Sequence, residues 1–393
     1  MSLPSEAALA KRAVSLLWDT CPLEYAPGSL SLTANMYART SGLHNEGVWH
    51  NCIMGIVYHW LSEVEKPAEE YEEALRKLST SLFENSFDTV EGALKQRVWT
   101  ACWDHRPEII EKLYKPHFWK ASDEKKASSQ SMAVIMYSFL RGSENGNRMY
   151  QAMTAKFLDL FLDGDVWISS TTRRHHRAVD QALCLLACLR MLKVHQEGDP
   201  IPADRLRDVI VSTRERILDT FGFASPRTAL SYLENEEECG LRFVWQEIWV
   251  SFALLFSASL LDDPSQGYKQ VSTLFRDLCT TYLDRTDKVP EGFLRAEPVS
   301  KGLSVDGSKI PAFAGDNALF YALLKSMKQL GVPMEEGAVD FEEHSRGFFK
   351  LVETVLSSER GLLYIADIHR EEALWANSEF AFALLFQDAD FVL

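Results

Sequence analysis

The feature of this 393-residue sequence that most narrows its fold is a series of helical segments that are apolar on nearly every face. Apolar residues recur at i, i+3, i+4 spacing almost throughout, and period-two alternation is nearly absent. Segments at about 44–65, 89–105, 128–142, 174–195, 240–261, 316–330 and 371–387 carry Ala, Leu, Phe, Trp and small residues on several sides. A helix of that kind needs neighbours all round it. Between them lie segments of a second type, at about 67–82, 107–117, 147–163, 203–220, 266–284 and 340–358. In these a single apolar stripe lies opposite a charged side, as in EEYEEALRKL and DRLRDVIVSTRERIL, so they belong at the surface.

The two types alternate six times with a period of roughly forty to sixty residues, and the last inner-type segment can complete a ring. A closed ring of inner helices wrapped by outer ones gives each apolar helix the neighbours it needs. The pattern therefore predicts an all-α (α/α)6 barrel, a toroid formed by one domain over residues 1–393. An open α-solenoid is the alternative, but its repeats would be shorter and more alike than these. The connections before the inner helices are long: SLSLTANMYARTSGLHNEG, FLDGDVWISSTTRR, EGFLRAEPVSKGLSVDGSKIPAFAG and SSERGLLYIADIHRE. Loops of such length in a compact domain are usually functional, and in a ring all of these feed the same end.

Composition removes several partners. The net charge of −15 comes from 56 acidic and 41 basic residues, with no Lys/Arg run able to track a phosphate backbone, so nucleic acid is not expected. No signal-like stretch opens the chain and no run of about 18 apolar residues occurs, which predicts a soluble, cytoplasmic protein without a membrane partner. Seven scattered cysteines, several inside apolar helical runs, suit buried free thiols in a reducing compartment. Cys184 and Cys188 are one turn apart, but no second ligand pair accompanies them, so neither a metal nor a cofactor is expected. A small molecule is the expected partner, and an anionic one would suit the basic stretch at 173–176; oligomeric state is not legible.

Five groups of residues carry the chemistry. Arg173, Arg174, His175 and His176 stand at the start of an inner helix, where cations oppose the macrodipole at a cost of a few tenths of a kcal/mol each. Cavity carboxylates or an anionic ligand would offset that cost, as would acidic neighbours on the loops. Asp180 shares a face with His176 and is placed to orient it, with Gln181 pointing beside it. Near the start, Glu46 and His50 share a face beside Trp49, a sugar-binding corner or simply an N-terminal turn. Near the end, Asp367, His369, Glu371, Glu372 and Trp375 precede and enter the last inner helix. CGLRFVWQEIWVSFALLF carries Arg242 on the same inner helix as Trp245 and Trp249, which either line a cavity or pack the core, while Glu247 needs a basic partner or a function. Finally Glu291, Arg295, Asp316 and Asn317 accompany the fifth long connection, with Asp316 a natural N-cap for 317–330.

Across GLHNEGVWHNCIMGIVYHWL, DGDVWISSTTRRHHRAVDQALCLLACLRML, SKIPAFAGDNALFYALLKSM and IHREEALWANSEFAFALLF the chain resembles the six-hairpin, (α/α)6-barrel glycosidase-like superfamily. That group includes α-1,6-mannanase-like hydrolases, unsaturated glucuronyl hydrolases and the N-acylglucosamine 2-epimerase family. Two signatures depart from the pattern. The mannanase-like enzymes carry adjacent aspartates followed by paired tryptophans, whereas Asp262-Asp263 here precedes Pro264 at an outer connection; the His-Pro-Gly-His segment of the epimerases is missing. The resemblance thus implies fold and substrate class more than reaction.

Glycoside hydrolysis by a carboxylate pair drawn from Glu46, Asp180, Glu247, Asp316 and Glu371 is the first reaction expected. Epimerisation or isomerisation follows, since in the epimerase-like relatives a histidine near the last hairpin works with one from an earlier inner helix, as His369 with His176 would here. A barrel of this kind can also be recruited to a cyclase, lyase or isomerase step on a nonsugar metabolite, or serve as a noncatalytic toroid that binds a protein. The expected catalytic residues are His176, His369, Glu46, Asp180 and Glu247. Those expected to bind substrate are His175, Arg173, Arg174, His50, Trp49, Arg242, Trp245, Asp316, Glu371 and Trp375.

Overall fold

The computed structural model describes residues 8–12, 157–168, 178–220, 233–234, 237–238, 244–261, 264–283, 294, 314–334, 341–356, 380 and 383–384. These are helical for the most part, and they fall in two compact units: Cys21–Thr220 with Tyr232–Cys239, and Met1–Thr20 with Phe221–Ser231 and Gly240–Leu393.

In the first unit a helix ending at residue 161 runs into a two-residue hairpin, β1 (Leu162–Asp163) against β2 (Val166–Trp167). Gly164 takes the first turn position with φ 69°, a left-handed conformation that costs glycine nothing. The expected outer helix over 147–163 is therefore cut short, because Asp-Gly-Asp supplies a tight turn where the helical period would have run on. Helix α1 (Ala178–Lys193) follows, and fourteen of its residues are buried, Asp180 and Gln181 among them. Its partner α2 (Ala203–Thr220) is amphipathic, burying Leu206, Val209, Ile210, Thr213 and Ile217 on one stripe. A second hairpin pairs β3 (Leu233–Glu234) with β4 (Glu237–Glu238).

Trp167 nails the first hairpin to both helices. Its indole Nε1–H donates to Thr213 Oγ1 of α2 at 2.9 Å, and its ring lies 5.1 Å from that of Phe157. Its main chain is held by Gln181 of α1: the Trp167 N–H donates to Oε1 at 2.9 Å, and Nε2–H donates back to the Trp167 carbonyl at 2.6 Å. A buried indole or amide left without such partners would cost about 1–3 kcal/mol, so these bonds fix the hairpin's position.

The second unit repeats the pairing of an apolar helix with an amphipathic one. Helix α3 (Val244–Leu260) is buried along most of its length and packs on α4 (Pro264–Tyr282), which buries one stripe and starts with proline at its first position, where no N–H is needed. Helix α5 (Ala314–Gln329) packs on α3 and on α6 (Phe341–Leu356). Aromatic rings join these layers: Phe275 of α4 stacks on Phe320 of α5 at 5.2 Å, and Tyr321 of α5 stacks on Phe348 of α6 at 4.9 Å. Helix α5 ends in a Schellman motif, with the Val332 N–H reaching the Met327 carbonyl at 2.9 Å, the Gly331 N–H reaching Lys328 at 3.2 Å, and Gly331 at φ 68°. The inner helices begin at Ala178, Val244 and Ala314, farther apart than the expected forty to sixty residues because of the long connections before them.

Candidate active site

The site is built around the first turn of α3, where Glu247 is 1% exposed. An ionised carboxylate in apolar surroundings is costly, and two features reduce the cost here. The helix N-terminus favours negative charge, and the Tyr282 hydroxyl donates to Glu247 Oε1 at 2.6 Å, the length of a hydrogen bond to a charged oxygen. The basic partner or function expected of Glu247 is thus supplied in part by a phenol, fully buried at the last residue of α4.

From Tyr282 the chain leads directly to α5. Leu283 forms an antiparallel bridge with Leu294, whose N–H donates to Asn317 Oδ1 at 2.8 Å while Asn317 Nδ2–H donates to the Leu294 carbonyl at 3.1 Å. Asn317 lies in the first turn of α5. The start of α3, the end of α4 and the start of α5 therefore share one end of this unit, with α3 and α5 running in the same direction and α4 against them.

Asp316 precedes Asn317 and is 3% exposed. Among the described residues its Oδ2 has no hydrogen-bond partner, and burial pushes the carboxyl up to about 7. A first-turn acid gains roughly 0.3–1 kcal/mol from the helix N-terminus, too little to outweigh desolvation of this size. The expected N-cap role is corrected: α5 begins at Ala314, two residues earlier, which moves Asp316 into the first turn. Two buried carboxyls, one hydrogen-bonded by a phenol and one near its titration point at neutral pH, thus stand at the same end of adjoining inner helices.

In the other unit Asp180 and Gln181 reproduce the Asp316–Asn317 arrangement. In both helices the third residue is a buried aspartate, and the fourth is a carboxamide that holds both main-chain groups of one residue in the preceding connection. Gln181 is committed to Trp167. Of the two places expected for Trp249, the structure shows core packing, with the ring buried 5.8 Å from that of Phe252, while Trp245 is half-buried. Arg173, Arg174, His175, His176, Glu46, Trp49, His50, Arg242, His369, Glu371 and Trp375 lie outside the described residues.

Sequence reasoning missed Tyr282 and the clamping roles of Gln181 and Asn317. The signal for the clamps was present as a repeat, Asp180-Gln181-Ala182-Leu183 against Asp316-Asn317-Ala318-Leu319, with Glu371-Glu372-Ala373-Leu374 in the same frame. Elsewhere, a groove of about 760 Å³ lies between the first hairpin and the α1–α2 connection, lined by Leu158, Asp159, Pro200, Pro202 and Arg205 among others. Among the described residues, none of those expected to be catalytic or to bind substrate lines it. Among the described residues no three His, Cys, Asp or Glu side chains are gathered to hold a metal ion, and no helix is long and apolar enough to cross a membrane.

No protein-family model matches the chain, and no curated protein matches it. Solved structures do. The unsaturated glucuronyl hydrolase of Streptococcus agalactiae is 11% identical, with a TM-score of 0.57 over 100% of this chain and 95% of its own. A second unsaturated glucuronyl hydrolase, from Bacillus sp. GL1 and responsible for the degradation of glycosaminoglycan, is 10% identical, with a TM-score of 0.55 over 99% and 96%. The GH76 α-mannanase of Bacteroides thetaiotaomicron is 9% identical, with a TM-score of 0.54 over 97% and 95%. All are (α/α)6-barrel glycosidases, and the likeness fixes the fold class: this chain is an all-α (α/α)6 barrel.

Proposed function

We propose that the protein is a glycoside hydrolase in which Asp316 and Glu247 form the carboxyl pair. The observation that carries this reading is the continuous path from Glu247 through Tyr282, Leu283 and Leu294 to Asn317, which sets both carboxyls at one end of adjoining inner helices. Such a pair suits a reaction that needs one carboxyl protonated and the other ionised at the same pH. Asp316, protonated near neutrality, gives its proton to the leaving oxygen as the glycosidic bond breaks. The ionised Glu247 supports the positive charge that develops at the anomeric carbon. Over the cycle water adds a hydroxyl to that carbon, and its other proton restores Asp316.

Further parts of the proposal have separate support. The neighbours cover nearly the whole chain, which supports one catalytic domain over 1–393. The stretch from Arg173 to His176 supports an anionic substrate, and the buried free thiol of Cys188 supports a cytoplasmic setting. Asp180 is proposed as a further carboxyl of the same kind, held in the same frame as Asp316.

The test is a cleavage screen of unsaturated glucuronyl disaccharides, mannooligosaccharides and aryl glycosides, followed by NMR of the anomeric protons. The expected result is hydrolysis of at least one class by the wild type, with a loss of about 100-fold or more in Asp316→Asn and in Glu247→Gln. Hydrolysis that both variants retain would refute the assignment, and a wild type inert toward every class would refute the reaction.

A further inference from the structure

The two carboxyls differ in one geometric respect. Each has one buried oxygen, Glu247 Oε2 and Asp316 Oδ2, that accepts no hydrogen bond among the described residues, but Glu247 Oε1 accepts the Tyr282 O–H at 2.6 Å. An O–H donor at that length favours the charged form of its acceptor. The donor is rigidly placed, since Tyr282 is fully buried and the next residue, Leu283, is tied by the bridge to Leu294, itself held at both main-chain groups by Asn317. The titratable groups that the described helices packed on α3 bring to this end are Tyr282 and Cys279 from the last turn of α4 and Asp316 from the first turn of α5.

We propose that Tyr282 is a positioning residue that holds Glu247 ionised and oriented, and so divides the labour of the pair, with Glu247 the charged partner and Asp316 the proton donor. The inference rests on the hydrolase reading for its catalytic meaning, but the interaction itself can be tested without any substrate. Tyr282→Phe removes one oxygen and leaves the ring in the core. Urea unfolding of wild type, Tyr282→Phe, Glu247→Gln and the double variant would be followed from pH 5 to pH 8. At pH 8 the single change is expected to lower the folding constant about tenfold or more. That loss should shrink toward pH 5 and lose its pH dependence on the Glu247→Gln background. An equal loss at every pH on both backgrounds would show that the phenol only packs, and would overturn the proposal.

A kinetic readout separates this inference from the hydrolase reading. On any glycoside that the wild type cleaves, Tyr282→Phe should move the acidic limb of the kcat/KM profile to higher pH with KM unchanged within about twofold. An unmoved limb contradicts the proposal even if hydrolysis is confirmed. Conversely, the pH-dependent coupling would stand as a property of the pair even if no glycoside is cleaved.

Discussion

Asp316 is a residue whose chemistry works against the stability of its own fold. An aspartate titrates near 3.9 in the unfolded chain and at about 7 here, so the folded state binds the extra proton between those values. The contribution from this group is therefore fully present below pH 4 and is lost as pH rises through about 7. Asp316→Asn removes the titration, and its stability relative to wild type is expected to rise between pH 4 and pH 8 by up to ~4 kcal/mol, readable by urea unfolding at each pH. A flat difference would mean that the carboxyl titrates normally. The sequence exposed Glu247 as chemically odd, because a carboxylate in an apolar helical run is unusual, and offered Asp316 as an N-cap and a candidate carboxyl. It did not expose Tyr282, since helical periodicity says that Tyr282 is buried but not what its hydroxyl meets thirty-five positions away.

At the scale of elements, the inner helices are anchored by carboxamides acting on main chain. Gln181→Leu would leave the buried N–H and carbonyl of Trp167 without these bonds, and is expected to cost roughly 2–4 kcal/mol in urea unfolding; a loss under about 0.5 kcal/mol would show that the clamp is incidental. Gly331→Ala is a milder test of the α5 terminus. A Cβ there meets nothing within 4 Å, so the expected cost of about 1 kcal/mol is that of a left-handed backbone alone. Helix limits were the most legible part of the chain: α2 falls on 203–220 as expected, and α1, α3, α4, α5 and α6 fall within a few residues of their segments. The hairpin at Leu162–Trp167 was not legible, because two-residue strands are too short to show a period and are fixed by Gln181, a contact made across the chain.

For the molecule as a whole, the alternation of all-round apolar helices with amphipathic ones was enough to name the fold class, because few architectures give an apolar helix neighbours on every side. It was not enough to name the chemistry, since the proposed carboxyls stand in the first turns of two separate helices, α3 and α5. Which first turns face one another is settled by contacts such as Leu283 with Leu294, which no local pattern encodes. The most direct measurement is the pH dependence of kcat/KM from pH 4 to pH 9 for wild type and Asp316→Asn on the glycoside the screen identifies. The predicted result is a wild-type profile whose basic limb falls near pH 7, and a variant slower by about 100-fold or more that lacks that limb. A variant that retains both the rate and the limb would contradict the assignment of Asp316 as the acid.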